Sequence, residues 1–128
     1  MFLVRLPMEQ PAYRQILIID GDPAARQTLA QSLTRAGHVA YTAANGADAL
    51  TYMMEAEPDL IISEYAMGRV SGREWLQFLE QHFASTQILI VTNLPSRLVG
   101  SRWPVLRKPL DLDLLDGYLK RSATALGT

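Results

Sequence analysis

The sequence has no cysteine. Disulfides, thiolate metal sites and cysteine nucleophiles are therefore excluded, and the absence accords with a reducing cytoplasm. No apolar run approaches the ~20 residues that span a bilayer. The start, Met1 to Leu6, is apolar but short, and no small-residue cleavage site follows it, so no signal peptide is read. A surplus of one charge is also lacking. Twelve Lys and Arg are scattered against thirteen Asp and Glu, for a net charge of −1, and nothing resembles a basic footprint for nucleic acid. Internal repeats and low-complexity segments are absent.

What remains is the length of one ordinary domain, 128 residues, with 48% apolar and 20% charged side chains. A chain of this size buries roughly two-thirds of its unfolded surface and needs no staples. Residues 1–14 hold Pro7 and Pro11, show no periodicity and read as an N-terminal extension. The domain is read over residues 15–128. Within it, short apolar runs suited to strands buried on both faces begin at Ile16, Asp59 and Ile88. Val39 to Ala43 and Pro104 to Leu106 are weaker strands.

Helical patterns lie between the strands. Asp22-Pro23 reads as an N-cap with proline at N1. Ala25, Leu29, Leu33 and Ala36 follow on one face, and Gly37 stops the helix. A second helix is expected from about Ala47 to Glu57, with Leu50, Met53 and Met54 inside. A third begins near Ser71 and buries Trp75, Leu76, Leu79 and Phe83. The last begins after Pro109, with Asp111 as cap and Leu112, Leu115 and Leu119 inside. His38 and His82, near helix ends, read as surface residues. The alternation predicts an α/β fold: a flavodoxin-like, doubly wound, five-stranded parallel sheet of order 2-1-3-4-5.

Chemistry in such sheets sits outside the carboxyl ends of the strands. Asp20 and Asp22 follow the first strand, Glu64 ends the third, Thr92 ends the fourth and Lys108-Pro109 follows the fifth. Carboxylates that can hold a divalent cation, a hydroxyl and a lysine form a phosphoryl-transfer set. Each residue also has an ordinary use. Asp22 suits a helix cap, Thr92 a backbone bond, and Glu64 and Lys108 a solvated surface.

In this order and spacing, the residues resemble the receiver domain of two-component response regulators, from about Gln15 to Arg121. Ile16 to Pro23 resembles the family's acidic opening, Ala43 to Leu50 the start of its second helix, and Pro58 to Glu64 its phosphoacceptor strand. Gly72, Thr92 and Lys108-Pro109 match the glycine of the third helix, the switch hydroxyl and the lysine–proline pair. The resemblance implies a phosphorelay signalling role and a cis-proline at Pro109. It implies a protein partner (a histidine kinase, phosphotransfer or effector protein), with a homodimer allowed; the scattered charge and the short apolar runs add the expectation of no direct nucleic-acid contact and no membrane.

The departures redirect that expectation. Glu64 stands where the family carries the phosphorylated aspartate and is longer by one methylene, ~1.5 Å of chain. Gly21 replaces one acid, so Asp20 and Glu64 would hold Mg²⁺ weakly or not at all. Val105 occupies the aromatic switch position, and Trp103, two residues earlier, is expected on the opposite face. The stretch between Thr92 and Lys108 includes Pro95, Gly100 and Pro104, so the family's fourth helix should be short or absent. The resulting expectation is a pseudo-receiver: a cytoplasmic, non-enzymatic interaction module. The alternatives are an active phosphoacceptor displaced to Ser63, or a flavin-like small-molecule module. No G-x-G-x-x-G loop follows the first strand to support the latter.

Overall fold

The computed structural model describes residues 14–127. The order of elements is β1 (Gln15–Ile19), α1 (Pro23–Arg35), β2 (Val39–Ala43), α2 (Gly46–Glu55), β3 (Leu60–Glu64), α3 (Gly72–His82), β4 (Gln87–Thr92), β5 (Val105–Arg107) and α4 (Leu112–Gly127). The strands form one parallel sheet in the order β2-β1-β3-β4-β5. Between β4 and β5 the only helical piece is a single 3-10 turn, Ser96–Leu98. The fold and the eroded connection match the sequence expectation. No helix among the described residues is long and apolar enough to cross a membrane.

The central strands bury both faces, as their unbroken aliphatic runs dictate. Leu17, Ile19, Ile61, Ile88 and Ile90 face one core with Ala49, Trp75, Leu79 and Phe83. Ile16, Ile18, Leu60, Ile62, Leu89 and Val91 face the other with Leu33, Leu115 and Leu119. Strand period 2 sorts the residues between the two sides. The caps follow local chemistry. The Asp22 carboxylate accepts from Ala24 N–H, Asn45 from Asp48 N–H, and Ser71 forms a reciprocal capping box with Glu74. Asp111 accepts from the backbone of Asp113 and Leu114. Gly37, at φ +100°, takes the left-handed conformation that ends α1.

Several expectations require correction. Met54 is 88% exposed. The inner face of α2 runs through Ala49 and Met53, and Met54 lies a further 100° round the helix, beyond that stripe. Ala36 is the exposed C-cap of α1 rather than part of its packed face. Leu112 is 48% exposed and lies outside the core that takes Leu115 and Leu119, on the wall of a surface crevice. Trp103 is not opposite Val105. Residues two apart in extended chain share a side, and both pack against the first core.

His38 is buried at 7% exposure, not on the surface. Its Nδ1 accepts the backbone N–H of Arg14 at 3.1 Å. Arg14 is itself buried, and its guanidinium donates to the Gln87 side chain and the Leu119 carbonyl. One arginine thereby ties the starts of β1 and β4 to α4. Residues 1–13 lie outside the described residues.

A pH dependence follows from this contact. Burial first, and the Arg14 charge second, hold the His38 pKa below its usual 6.5, with Asp116 opposing. The unfolded chain then binds the proton more readily, so stability is full above about 6.5 and declines as pH falls below it. Protonation also removes the acceptor from Arg14 N–H, a loss of about 1 kcal/mol. In His38→Asn the amide oxygen can replace Nδ1 as acceptor without titrating. Urea unfolding at pH 7 and pH 5 is expected to show a smaller acid loss in this variant than in the wild type.

Candidate functional site

The strand register assembles the site. Ile19 pairs with Ser63 and Glu64 with Val91, which sets Asp20 beside Glu64 at the carboxyl ends of neighbouring strands. Thr92 pairs with Arg107, so Lys108 leaves β5 one residue beyond that level. Lys108 Nζ donates to Glu64 Oε1 at 2.7 Å and to Asp20 Oδ2 at 3.1 Å. The Lys108–Pro109 peptide bond is cis, the form expected for Pro109.

Around this triad the polar groups are mostly engaged. Asp20 Oδ1 accepts from Asp22 N–H at 2.8 Å. Asp22 is exposed and caps α1, which keeps its carboxylate out of the cluster. Thr92 is buried at the end of β4, and its hydroxyl oxygen accepts from Leu94 N–H at 3.0 Å. Of the residues read from sequence, Asp20, Glu64 and Lys108 thus converge, while Asp22 and Thr92 hold turns beside them.

Electrostatically, one ammonium serves two acids. Burial raises the Glu64 pKa. Lys108 opposes this, but the neighbouring Asp20 adds to it, so the net shift is upward. For Lys108, burial disfavours the charge, yet its bonds to Glu64 and Asp20 outweigh that and raise its pKa. The two directions agree physically, because the lysine gains both partners while each acid gets only a share of one cation.

Arg26, and the structural role of Ser63, were not read from the sequence. Arg26 donates from α1 to the Asp20 carbonyl at 2.7 Å and braces the loop after β1. A cation in the first turn of a helix opposes the macrodipole, and that conflict was the available signal. Ser63, fully buried, accepts from the Trp75 indole N–H at 2.8 Å and donates to the Glu64 carbonyl at 3.0 Å. It anchors the end of β3 to α3. An apolar crevice of about 380 Å³ runs from the cluster between α1 and α4, with Leu29 and Leu112 among its walls.

A doubly wound parallel sheet with a lysine-bridged acid pair at the carboxyl ends of its strands is the arrangement on which the comparisons bear. Residues 16–99 match the family model of the response regulator receiver domain. The chain belongs to that family. It is 29% identical over 126 residues to the transcriptional regulatory protein GlrR of Escherichia coli, covering 91% of this chain and 28% of that protein. It spans about a quarter of the length of the curated relatives it matches. Chemotaxis protein CheY4 of Vibrio cholerae superposes with a TM-score of 0.71 at 28% identity, over 84% of this chain and 96% of that one. The fold alone is shared with the response regulator TrrA of Thermotoga maritima, solved in complex with Mg²⁺-BeF. There the TM-score is 0.71 and the identity 24%, over 84% of this chain and 97% of that one.

Receiver domains commonly hold Mg²⁺ at the phosphorylation site. Octahedral Mg²⁺ requires several free oxygen donors. Here Asp20 and Glu64 already share the Lys108 ammonium, and Gly21 has no side-chain donor. Among the described residues no group of three or more His, Cys, Asp or Glu side chains gathers in a metal-holding cluster. This donor set fits a tightly held Mg²⁺ poorly.

Proposed function

We propose that this chain is a pseudo-receiver: a protein-interaction module of a two-component phosphorelay, closed by its own carboxylate–lysine contact. The observation that carries the reading is the 2.7 Å bond from Lys108 Nζ to Glu64 Oε1. The lysine that would bind an incoming phosphoryl oxygen is occupied by the side chain in the acceptor position. Glu64 thereby imitates part of a phosphorylated acceptor. The imitation is incomplete, since a phosphate carries about −1.5 to −2 charge and three acceptor oxygens. On this reading the domain performs no chemistry of its own. Mg²⁺ is weakly held or not held, because it competes with Lys108 for the same carboxylates. The partner is a histidine kinase, phosphotransfer or effector protein, and the setting is the cytoplasm.

The displaced-acceptor reading loses support from Ser63. Its hydroxyl is fully buried and engaged on both sides, by Trp75 and by the Glu64 carbonyl. The small-molecule reading draws on the apolar crevice between α1 and α4, and a flavin there would give the purified protein visible absorbance.

The test of the main reading is intact-protein mass measurement after incubation with Mg²⁺ and acetyl phosphate. No added phosphoryl mass is expected. A stable adduct that disappears in Glu64→Gln would overturn it.

A further inference from the structure

Consecutive parallel strands need a crossover of a dozen or more residues, and this usually carries a helix across one face of the sheet. Between β4 and β5 the chain makes only the 3-10 turn Ser96–Leu98 and then runs irregularly to Val105. Next to α3 on that face of the sheet, the β4–β5 connection therefore contributes no α-helix. A groove of about 490 Å³ lies there, walled by α3 on one side and by Gly100 to Trp103 on the other. Packed helices lie about 8–10 Å apart, and here the chain from Gly100 to Trp103 takes the place beside α3 that a crossover helix would fill, leaving the groove open.

The groove has an apolar floor and a positive rim. Tyr65, Leu76 and Trp103 are half-buried in it, each packed against the first core with part of its surface left open. Arg73, Arg102 and Glu80 are exposed along the edges. Arg102 Nη1 pairs with Glu80 Oε2 at 2.8 Å, and its guanidinium carbon lies 5.5 Å from the Trp103 ring centroid. Arg102 is thus held in place over an aromatic face. Arg73 has no ion pair among the described residues. Two guanidiniums against one carboxylate leave the rim positive in a chain whose net charge is −1.

We infer that this groove binds an acidic amphipathic helix of a partner protein. Its apolar stripe would lie on Leu76 and Trp103, and its carboxylates would pair with Arg73 and Arg102. Laying an apolar helix face into a groove is a recurrent recognition mode, and the charge on the rim selects the partner's sign. The inference rests on the interaction-module reading and supplies the chemistry of the partner. The groove also begins next to the triad. Tyr65 directly follows Glu64, and its ring covers Gly72 so closely that a Cβ there would collide with it.

The test is a ¹H–¹⁵N titration of the intact chain with a short acetylated helical peptide of Leu, Ala and Glu. Its counterpart carries Lys in place of Glu. With the Glu peptide, shifts are expected at the Trp103 indole N–H, Arg102 and Leu76. The Lys peptide should bind at least ~10-fold more weakly. Arg73→Glu, at an exposed position, should weaken the Glu peptide roughly 10-fold without unfolding the domain. Equal affinity for both peptides, shifts confined to the α1–α4 crevice, or no shift at the Trp103 indole would overturn the inference. A phosphoryl adduct on Glu64 would instead overturn the pseudo-receiver reading, so the two failures are distinguishable.

Discussion

Gly21→Asp combined with Glu64→Asp is expected to convert the protein into one that accepts a phosphoryl group from acetyl phosphate in a Mg²⁺-dependent way. Shortening residue 64 withdraws its carboxylate by ~1.5 Å of chain. That weakens the Lys108 bond and opens room for an in-line approach to the carboxylate. Position 21 is open: a Cβ there would have no atom within 4 Å, and φ is not positive, so an aspartate fits without displacing its surroundings. The added carboxylate supplies the hard oxygen that the wild-type donor set lacks. Misplacement by about 1 Å costs on the order of 10²-fold in rate, and correcting it should recover at least that much. Intact mass against time measures the effect. Glu64→Asp alone should be slower than the pair, because the metal site stays incomplete. A double variant as inert as the wild type would mean that something other than these two positions silences the site.

Lys108→Met is expected to destabilise the fold by about 2 kcal/mol at pH 8, between the cost of breaking a buried ion pair and that of an exposed one. The variant leaves Asp20 and Glu64 facing each other without a counter-ion. Its pH dependence has a definite sign. The Glu64 pKa is already raised by burial and by Asp20 in the wild type, and removing Lys108 removes the opposing influence. The native state then binds a proton where the unfolded state does not, so stability rises as pH falls through the raised pKa toward 4.5. Urea unfolding at pH 8 and pH 5 should show the Lys108→Met deficit shrinking at the lower pH. Adding Glu64→Gln should remove much of the deficit at pH 8. A deficit unchanged by either manipulation would assign Lys108 a packing role instead of an electrostatic one.

The sheet order and the triad were legible because the strand runs are local patterns and their alternation with helices restricts the sheet to few orders. Aliphatic runs such as Ile16 to Ile19 announce buried strands, and the residues just past their carboxyl ends must converge once the order is 2-1-3-4-5. Asp20, Glu64 and Lys108 follow from that alone. What escaped depends on tertiary partners. Whether His38 is buried is decided by Arg14 across the strand start, which no local pattern encodes. Met54 and Leu112 belong to apolar patterns, but the extent of the neighbouring core leaves both exposed. Ser63 reads as a spare hydroxyl in the sequence, yet the Trp75 indole, twelve residues on, bonds to it. The groove beside α3 was foreshadowed by Pro95, Gly100 and Pro104. Its positive rim was not, because Arg73 and Arg102 are brought to one groove only by the fold.

The central claim is that Glu64 and Lys108 already hold each other in the way a phosphorylated acceptor and its lysine would. The most direct measurement is the ¹H–¹⁵N spectrum of the wild-type chain before and after adding Mg²⁺ with beryllofluoride, a phosphoryl mimic. No new set of resonances is expected for Thr92, Leu94 or Lys108, and only small, fast-exchange shifts from Mg²⁺ near Asp20. A second, slowly exchanging set at these residues would contradict the claim, because the acceptor position would then be open to a phosphoryl group.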